Sequence, residues 1–249
     1  MSDLQTFAVS GIGEIRQGDD LATLIGDALR HSGRPLLHGD VVVVAQKAVS
    51  KAEGSVVDLA TVVPSRFAQQ VASVTGKDPR VVEVVLTESV RIVRMDRGVL
   101  ITETRHGFVC ANAGVDASNA AADGQVTTLP ADPDRSARNL RDSLSRDGVE
   151  VAVIVSDSFG RPWREGSVNV ALGVAGMAAL QDLRGQLDDR GRVLRTSMVA
   201  VADELASAAQ LVMGEMGGLP AAVVRGFAWK PDDAGGAPLR RAPEKDLFR

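Results

Sequence analysis

The chain has 249 residues, 45% of them apolar, and its 28 basic and 32 acidic side chains leave a net charge of −4. That length is ample for a buried core, and the acidic balance lacks the basic excess expected of a nucleic-acid binder. A single cysteine, Cys110, excludes a disulfide framework and any zinc site built on paired thiolates, while His31, His38 and His106 are too scattered to suggest a histidine cage. Aromatic residues are only 3% and tyrosine is absent, so the core must be built from Val, Leu, Ile and Ala.

The opening MSDLQTFAVSGIGEIRQGDD has neither the basic start nor the long apolar stretch of a signal peptide, and no apolar run reaches the length of a membrane span. The expected location is the cytoplasm. Asp19 and Asp20 precede Leu21, Leu24, Ile25, Ala28 and Leu29, a cap followed by a helical stripe that ends near Gly33. Val41 to Ala45 reads as a short buried strand opening into QKAVSKAEG. Helical spacing returns from Pro64 to Thr75 and stops at Gly76. Val90–Arg94 and Gly98–Thr104 flank Met95-Asp96-Arg97 as a hairpin. Asp116 to Pro130 reads as a long loop of the kind that carries function. Asp132-Pro133 starts a helix with Ala137, Leu140 and Leu144 on its inner face. Val149 to Val155 is the clearest buried strand and runs into the turn-rich SDSFGRPWREG. Val199 to Val212 is helical in pattern, and the polar stretch from about residue 230 to 249 reads as a mobile tail. With no internal repeat and no linker, the chain reads as one domain, 1–249. The irregular alternation of elements predicts a mixed α and β fold, α+β rather than a regular parallel series.

The familiar nucleotide motifs are missing. Arg16 stands where G-x-G-x-x-G needs its third glycine, and Gly76-Lys77-Asp78 is not a P-loop. Three polar clusters interrupt apolar strands instead. In the first, Lys47 and Lys51 are four apart and share a helix face, where they can hold phosphate oxygens or form a solvated surface. The second carries Asp116 and Asn119. The third carries Asp157 and Ser158 directly after a strand, with Arg161, Trp163 and Arg164 nearby. Two carboxylates and a hydroxyl are hard oxygen ligands suited to Mg²⁺ or Mn²⁺, although each Asp taken singly also fits a turn or cap. His106 reads as a structural hydrogen-bonder or a general base, and Cys110 as inert.

At these clusters the chain resembles the coenzyme F-420-0:L-glutamate ligases, or γ-glutamyl ligases. The resemblance is carried by GDDL (18–21), GDVVVVAQKAVSKAEG (39–54), TGKDPR (75–80), ETRHGFVCANAGVDASN (103–119), LPADPDRSAR (129–138), VIVSDSFGRPWREG (153–166), GVAGM (173–177) and AVADELASAAQLVMG (200–214). It implies an enzyme that uses GTP and Mg²⁺ or Mn²⁺, often with K⁺. Such an enzyme activates the carboxylate of a lactyl-phosphate arm as an acyl phosphate, which the amine of L-glutamate attacks; many members add further γ-linked glutamates. It also implies an unusual mixed fold in two halves, intertwined as a homodimer. Metal ligands carry over onto Asp116, Asp157 and Ser158, with Asp116 and Asp157 the catalytic pair. Nucleotide contacts carry over onto Ile12, Gly13, Glu14, Ile15, Gln46, Lys51 and Asn119. Acyl-phosphate chemistry needs cations and positioning rather than a protein nucleophile, so the lack of a Ser or Cys triad is expected.

The chain departs from the family pattern at Ser167 and Asn169, where many members have Gln and Asp. It departs also at Met198, aligned with an acidic or amide side chain that could be a further metal ligand; a thioether serves a hard cation poorly. These departures motivate a second reading, a relative acting on another amine or phosphorylated acid; a nucleotide-binding homologue without catalysis is a different class, and the retention of Asp116 and Asp157 argues against it.

Overall fold

A computed structural model describes residues 3–117, 124–146 and 148–247. In chain order, the first half comprises β1 (Gln5–Ala8), α1 (Leu21–His31), β2 (Val41–Ala45), α2 (Gln46–Glu53), β3 (Val56–Asp58), α3 (Arg66–Thr75), α4 (Pro79–Thr87), β4 (Ser89–Asp96), β5 (Val99–Thr104), β6 (Val109–Ala111) and β7 (Gln125–Thr127). The second comprises α5 (Pro133–Leu144), β8 (Ala152–Arg161), β9 (Arg164–Ala175), β10 (Gln181–Asp182), β11 (Met198–Val199), α6 (Val201–Met213) and β12 (Ala221–Arg225). The mixed α and β class expected from the sequence is what forms. No helix among the described residues is long and apolar enough to cross a membrane.

The centre is a five-stranded sheet in the order β1-β12-β2-β8-β9. β2 and β8 pair in parallel, and every other neighbour in this sheet is antiparallel. Both faces are covered, which is why Val41 to Val44 form an unbroken apolar run rather than an alternating one. Val42, Val44, Val153 and Val155 meet α1 and α5 through Leu21, Ile25, Leu29, Ala137 and Leu140. Val41, Val43, Ala152 and Ile154 meet α6 through Val201, Leu205, Ala206 and Ala209. The small aliphatic side chains let helix and sheet approach closely. A Cβ on Gly173 of β9 would lie 2.1 Å from the carbonyl oxygen of Pro133 in α5, so only glycine fits there.

Residues 55–117 and 124–128 build a second lobe with its own core, in which Leu59, Ala68, Val71, Val82, Val85, Leu100 and Val126 pack α3 and α4 against strands. The antiparallel ribbon β4-β5-β6 forms its outer sheet. The expected hairpin is present, turning through Arg97 (φ 49°) and Gly98 (φ 78°), both left-handed.

Two expectations need correction. The strand predicted to stop at Val155 continues to Arg161, and the turn-rich stretch after it is the β8–β9 hairpin. Cross-strand pairing down to Arg161↔Arg164 holds these polar residues extended. The polar stretch from about residue 230, read as mobile, makes specific contacts with the body, as does Trp229 just before it. Trp229 Nε1 donates to Gly39 O (2.9 Å), Ala178 N donates to Lys230 O (2.8 Å), and Gly236 N donates to Asp134 Oδ1 (2.7 Å). Helix α4 escaped the sequence reading, though Asp78 caps it with Pro79 at its start.

Candidate functional site

A cleft of about 1010 Å³ opens beyond the ends of the parallel strands β2 and β8, between the central sandwich and the second lobe. The carboxyl ends of parallel strands are where open α/β sheets place ligands. Ile12, Gly13, Glu14, Ile15, Gln46, Lys51, Asp116, Asp157 and Ser158 all line it. Asn119, the remaining predicted contact, lies outside the described residues.

The two aspartates arrive by different routes. Asp157 follows Ser156, which is level with Ala45 across the parallel pair. Alternation along β8 sends Asp157 to the α2 side and Ser158 to the α6 side. A register shift opposite Val155 and Ser156 leaves Leu172 as an extra residue in β9, the kind of bulge that re-aims side chains beside a site. Asp116 comes from the second lobe, where Asn112, Ala113 and Gly114 form a left-handed turn (φ 53°, 53° and 71°). Two exchanged backbone hydrogen bonds with Thr127 (2.9 and 3.0 Å) then fix Asp116. A Cβ on Gly114 would meet the Leu129 side chain at 2.6 Å.

Polar side chains tie these groups into one arrangement. Lys47 Nζ lies 2.7 Å from Asp116 Oδ2, both about one-third exposed. Gln46 is hydrogen-bonded to Asp157, and its own Oε1 is held by the Ser50 hydroxyl at 2.9 Å. On the other side, the Ser158 hydroxyl donates to Asn169 Oδ1 (2.7 Å). Asn169 Nδ2 donates to Gln210 Oε1 (3.0 Å), and Gln210 Nε2 to Glu215 Oε1 (2.7 Å). Burial pushes the Asp157 carboxyl up to about 6, and the Asp116 charge adds to this; the Ser158 N–H, the Lys47 charge and the Gln46 amide pull it back. Cys110 lines the same wall, its thiol pushed up to about 12 by burial and then by the Asp157 charge, so it is no nucleophile at neutral pH.

Several sequence-level attributions change. Lys47, paired with Lys51 as a phosphate holder, is bonded to Asp116. Trp163 and Arg164 sit exposed at the hairpin tip, and Arg161 spends its guanidinium on the Gly166 carbonyl (3.1 Å); none of the three lines the cleft. Met198 lies on β11, half exposed, and Ser167 on the exposed part of β9, both away from the cleft. Asn169, by contrast, is a buried cleft residue. His106 accepts the structural role, its Nε2 3.1 Å from Ala131 O. The sequence reading missed Asn112, Gln210 and Glu215. The stretch GEMGGLP (214–220), which carries Glu215, offered the only signal: an acidic residue among glycines after a helix.

No three His, Cys, Asp or Glu side chains converge among the described residues. The oxygen donors brought closest together in the cleft are the Asp116 and Asp157 carboxylates and the Ser158 hydroxyl, with Glu215 Oε1 3.4 Å from Ser158 Oγ and Glu14 on the same lining. Oxygen-only donors of net negative charge, one of them a carboxylate whose pKa is raised by burial and then by the Asp116 charge, fit a hard divalent cation.

A polar cleft with paired carboxylates, two lysines and, among the described residues, no activated nucleophile defines a class, a group-transfer enzyme that works by charge and positioning. The comparisons narrow that class. Residues 11–226 match the family model described as F420-0:Gamma-glutamyl ligase, and the chain belongs to this family of ligases. It is 49% identical over 250 residues to the coenzyme F420:L-glutamate ligase of Methanothermobacter thermautotrophicus, covering 99% of both chains. It is also 49% identical over 242 residues to that of Methanopyrus kandleri, covering 95% of this chain and 94% of the relative. The corresponding protein of Haloarcula marismortui is 41% identical over 254 residues, with 99% and 96% covered.

Proposed function

We propose that this protein joins L-glutamate to the lactyl-phosphate carboxylate of coenzyme F420-0, with GTP as phosphoryl donor and an acyl phosphate as the activated intermediate. The single observation that carries this reading is the convergence of Asp116, Asp157, Ser158, Lys47 and Lys51 on one cleft, built from two lobes. The names of the relatives supply the substrates.

The chemistry follows from those groups. Attack of a carboxylate on a γ-phosphate brings several negative oxygens together, and the main task is to neutralise and align them. Lys51, one helical turn beyond Lys47, offers an ammonium to the phosphates. Ile12 to Ile15 form an adjoining wall with an apolar side chain, Ile15, anchored in the core. Asp116, Asp157 and Ser158 would hold Mg²⁺ or Mn²⁺, which when bound neutralises the carboxylate pair and withdraws charge from the γ-phosphate. Gln46 and Asn169 fix the orientation of Asp157 and Ser158. The homodimer belongs to this proposal too; Leu187 and Val193, exposed and bridged to each other on the excursion between β10 and β11, are available to such a contact.

The test is product mass after incubation of the protein with F420-0, GTP, Mn²⁺ and L-glutamate. The expected result is gain of a glutamyl residue, with Asp116→Asn and Asp157→Asn each slower by about a thousandfold, the scale for loss of a charge-stabilising group. No glutamyl product from the parent would refute the substrate assignment. Near-parent rates in either variant would refute the site.

A further inference from the structure

We propose that Lys47 is the resident counter-ion of the Asp116/Asp157 pair, holding the carboxylate oxygen that a divalent cation must take and giving it up when the cation binds. The inference rests on the metal reading above and adds a competing occupant to it.

Three observations converge. First, Lys47 Nζ is 2.7 Å from Asp116 Oδ2, a direct contact rather than a remote charge. Second, the fold brings Lys47 close to both aspartates. It lies in the first turn of α2, two residues past Ala45, which is level with Ser156, the residue before Asp157. Its charge accordingly acts on Asp157 as well as Asp116. Third, the ion pair is about one-third exposed on both sides and opens to the cleft, so a solute ion can reach it.

Two carboxylates sharing a cleft repel one another unless a cation stands with them. Lys47 provides that cation in the metal-free protein. An ammonium is a point charge on a flexible four-carbon stem, so it can leave Asp116 Oδ2 without movement of the backbone. A divalent ion brings twice the charge and accepts both carboxylates together. Once displaced, the Lys47 ammonium stays within the cleft, one helical turn from Lys51, where the two face the same anionic ligand. Cation loading thus also delivers a second ammonium to the phosphates.

Calorimetric titration of Mn²⁺ into the nucleotide-free full-length protein separates the possibilities, using the parent, Lys47→Met, Lys47→Arg and Asp157→Asn. Lys47→Met keeps the stem and removes the competitor, and it should bind Mn²⁺ about tenfold more tightly than the parent. Lys47→Arg retains the charge and should stay near the parent value. The metal-free Lys47→Met protein should melt below the parent, and Mn²⁺ should raise its melting temperature by more than it raises the parent's. An Mn²⁺ affinity in folded Lys47→Met equal to or weaker than the parent's, with binding still lost in Asp157→Asn, overturns this inference and leaves the metal site standing. A parent that binds no Mn²⁺, or an Asp157→Asn variant that binds it as the parent does, overturns the metal reading and this inference with it.

Discussion

The central sandwich and the second lobe each contribute one aspartate to the cleft, and they hold it by different means. Asp157 extends from a strand whose preceding residues are buried on both faces, with α1 and α5 on one side and α6 on the other. Its position is set by the core, and the core is also what desolvates it. Asp116 sits on the rim of a smaller core, fixed by a left-handed turn and one pair of backbone hydrogen bonds. It keeps an ion pair and more contact with solvent. Electrostatic cost therefore collects on the sandwich side and backbone strain on the lobe side.

The largest expected effect probes whether the two cores are separable. Ile154 and Leu100 are both fully buried, one in each core. Truncation of either to Ala should cost about 3 kcal/mol, the usual scale for a buried aliphatic. Urea unfolding followed by two probes should show Ile154→Ala shifting the whole transition, and Leu100→Ala splitting off an early phase from the lobe. Coincident transitions in both variants would mean that the two cores unfold as one.

The next effect separates the aspartates. Asp157 has a folded-state pKa raised from 3.8 to about 6. The folded protein therefore holds this proton more tightly than the unfolded chain does. The associated stability is fully present below about pH 4 and is lost as pH rises through 6. At pH 7.5, Asp157→Asn should stabilise the metal-free protein by about 2 kcal/mol, and below pH 4 by little. Asp116→Asn relieves the same repulsion but weakens the Lys47 ion pair, so its gain should be smaller, or a loss of about 1 kcal/mol or less. Chemical denaturation at the two pH values reads both. Equal gains in the two variants would show that the Lys47 contact adds nothing to stability.

The smallest effect concerns strain in the lobe away from the cleft. Arg97 adopts a left-handed conformation in the β4–β5 turn, beside Gly98. Asn is better suited to this position in a two-residue hairpin turn. Arg97→Asn should raise stability by about 0.5 kcal/mol, with ligation unchanged. Slower ligation in that variant would tie the outer ribbon to the cleft.

Much of the fold was legible where signals are local. Asp20 before Leu21 and Asp132 before Pro133 are caps, and each accepts the expected backbone hydrogen bond. The hairpin through Arg97-Gly98 was equally local. The β8–β9 hairpin was not, because Ser-Asp-Ser-Phe-Gly-Arg carries turn-forming residues and is extended only through its pairing with β9. Helix α4 was hidden because Val82, Val84 and Val85 read as strand formers, and their burial in the lobe core overrides that preference.

By itself, the sequence determined the periodic elements, the unbroken apolar strands of a sheet covered on both faces, and the residue types able to carry charge chemistry. Those follow from side-chain size, polarity and spacing of only a few residues. Tertiary structure alone decided which polar groups meet. Lys47 and Asp116 are far apart in the chain and lie 2.7 Å apart in space. Glu215 reaches Ser158 from the loop after α6, while Met198, Trp163 and Arg164 fall outside the cleft. Such meetings depend on strand order and register, which put Ala45 level with Ser156, and no local spacing encodes them.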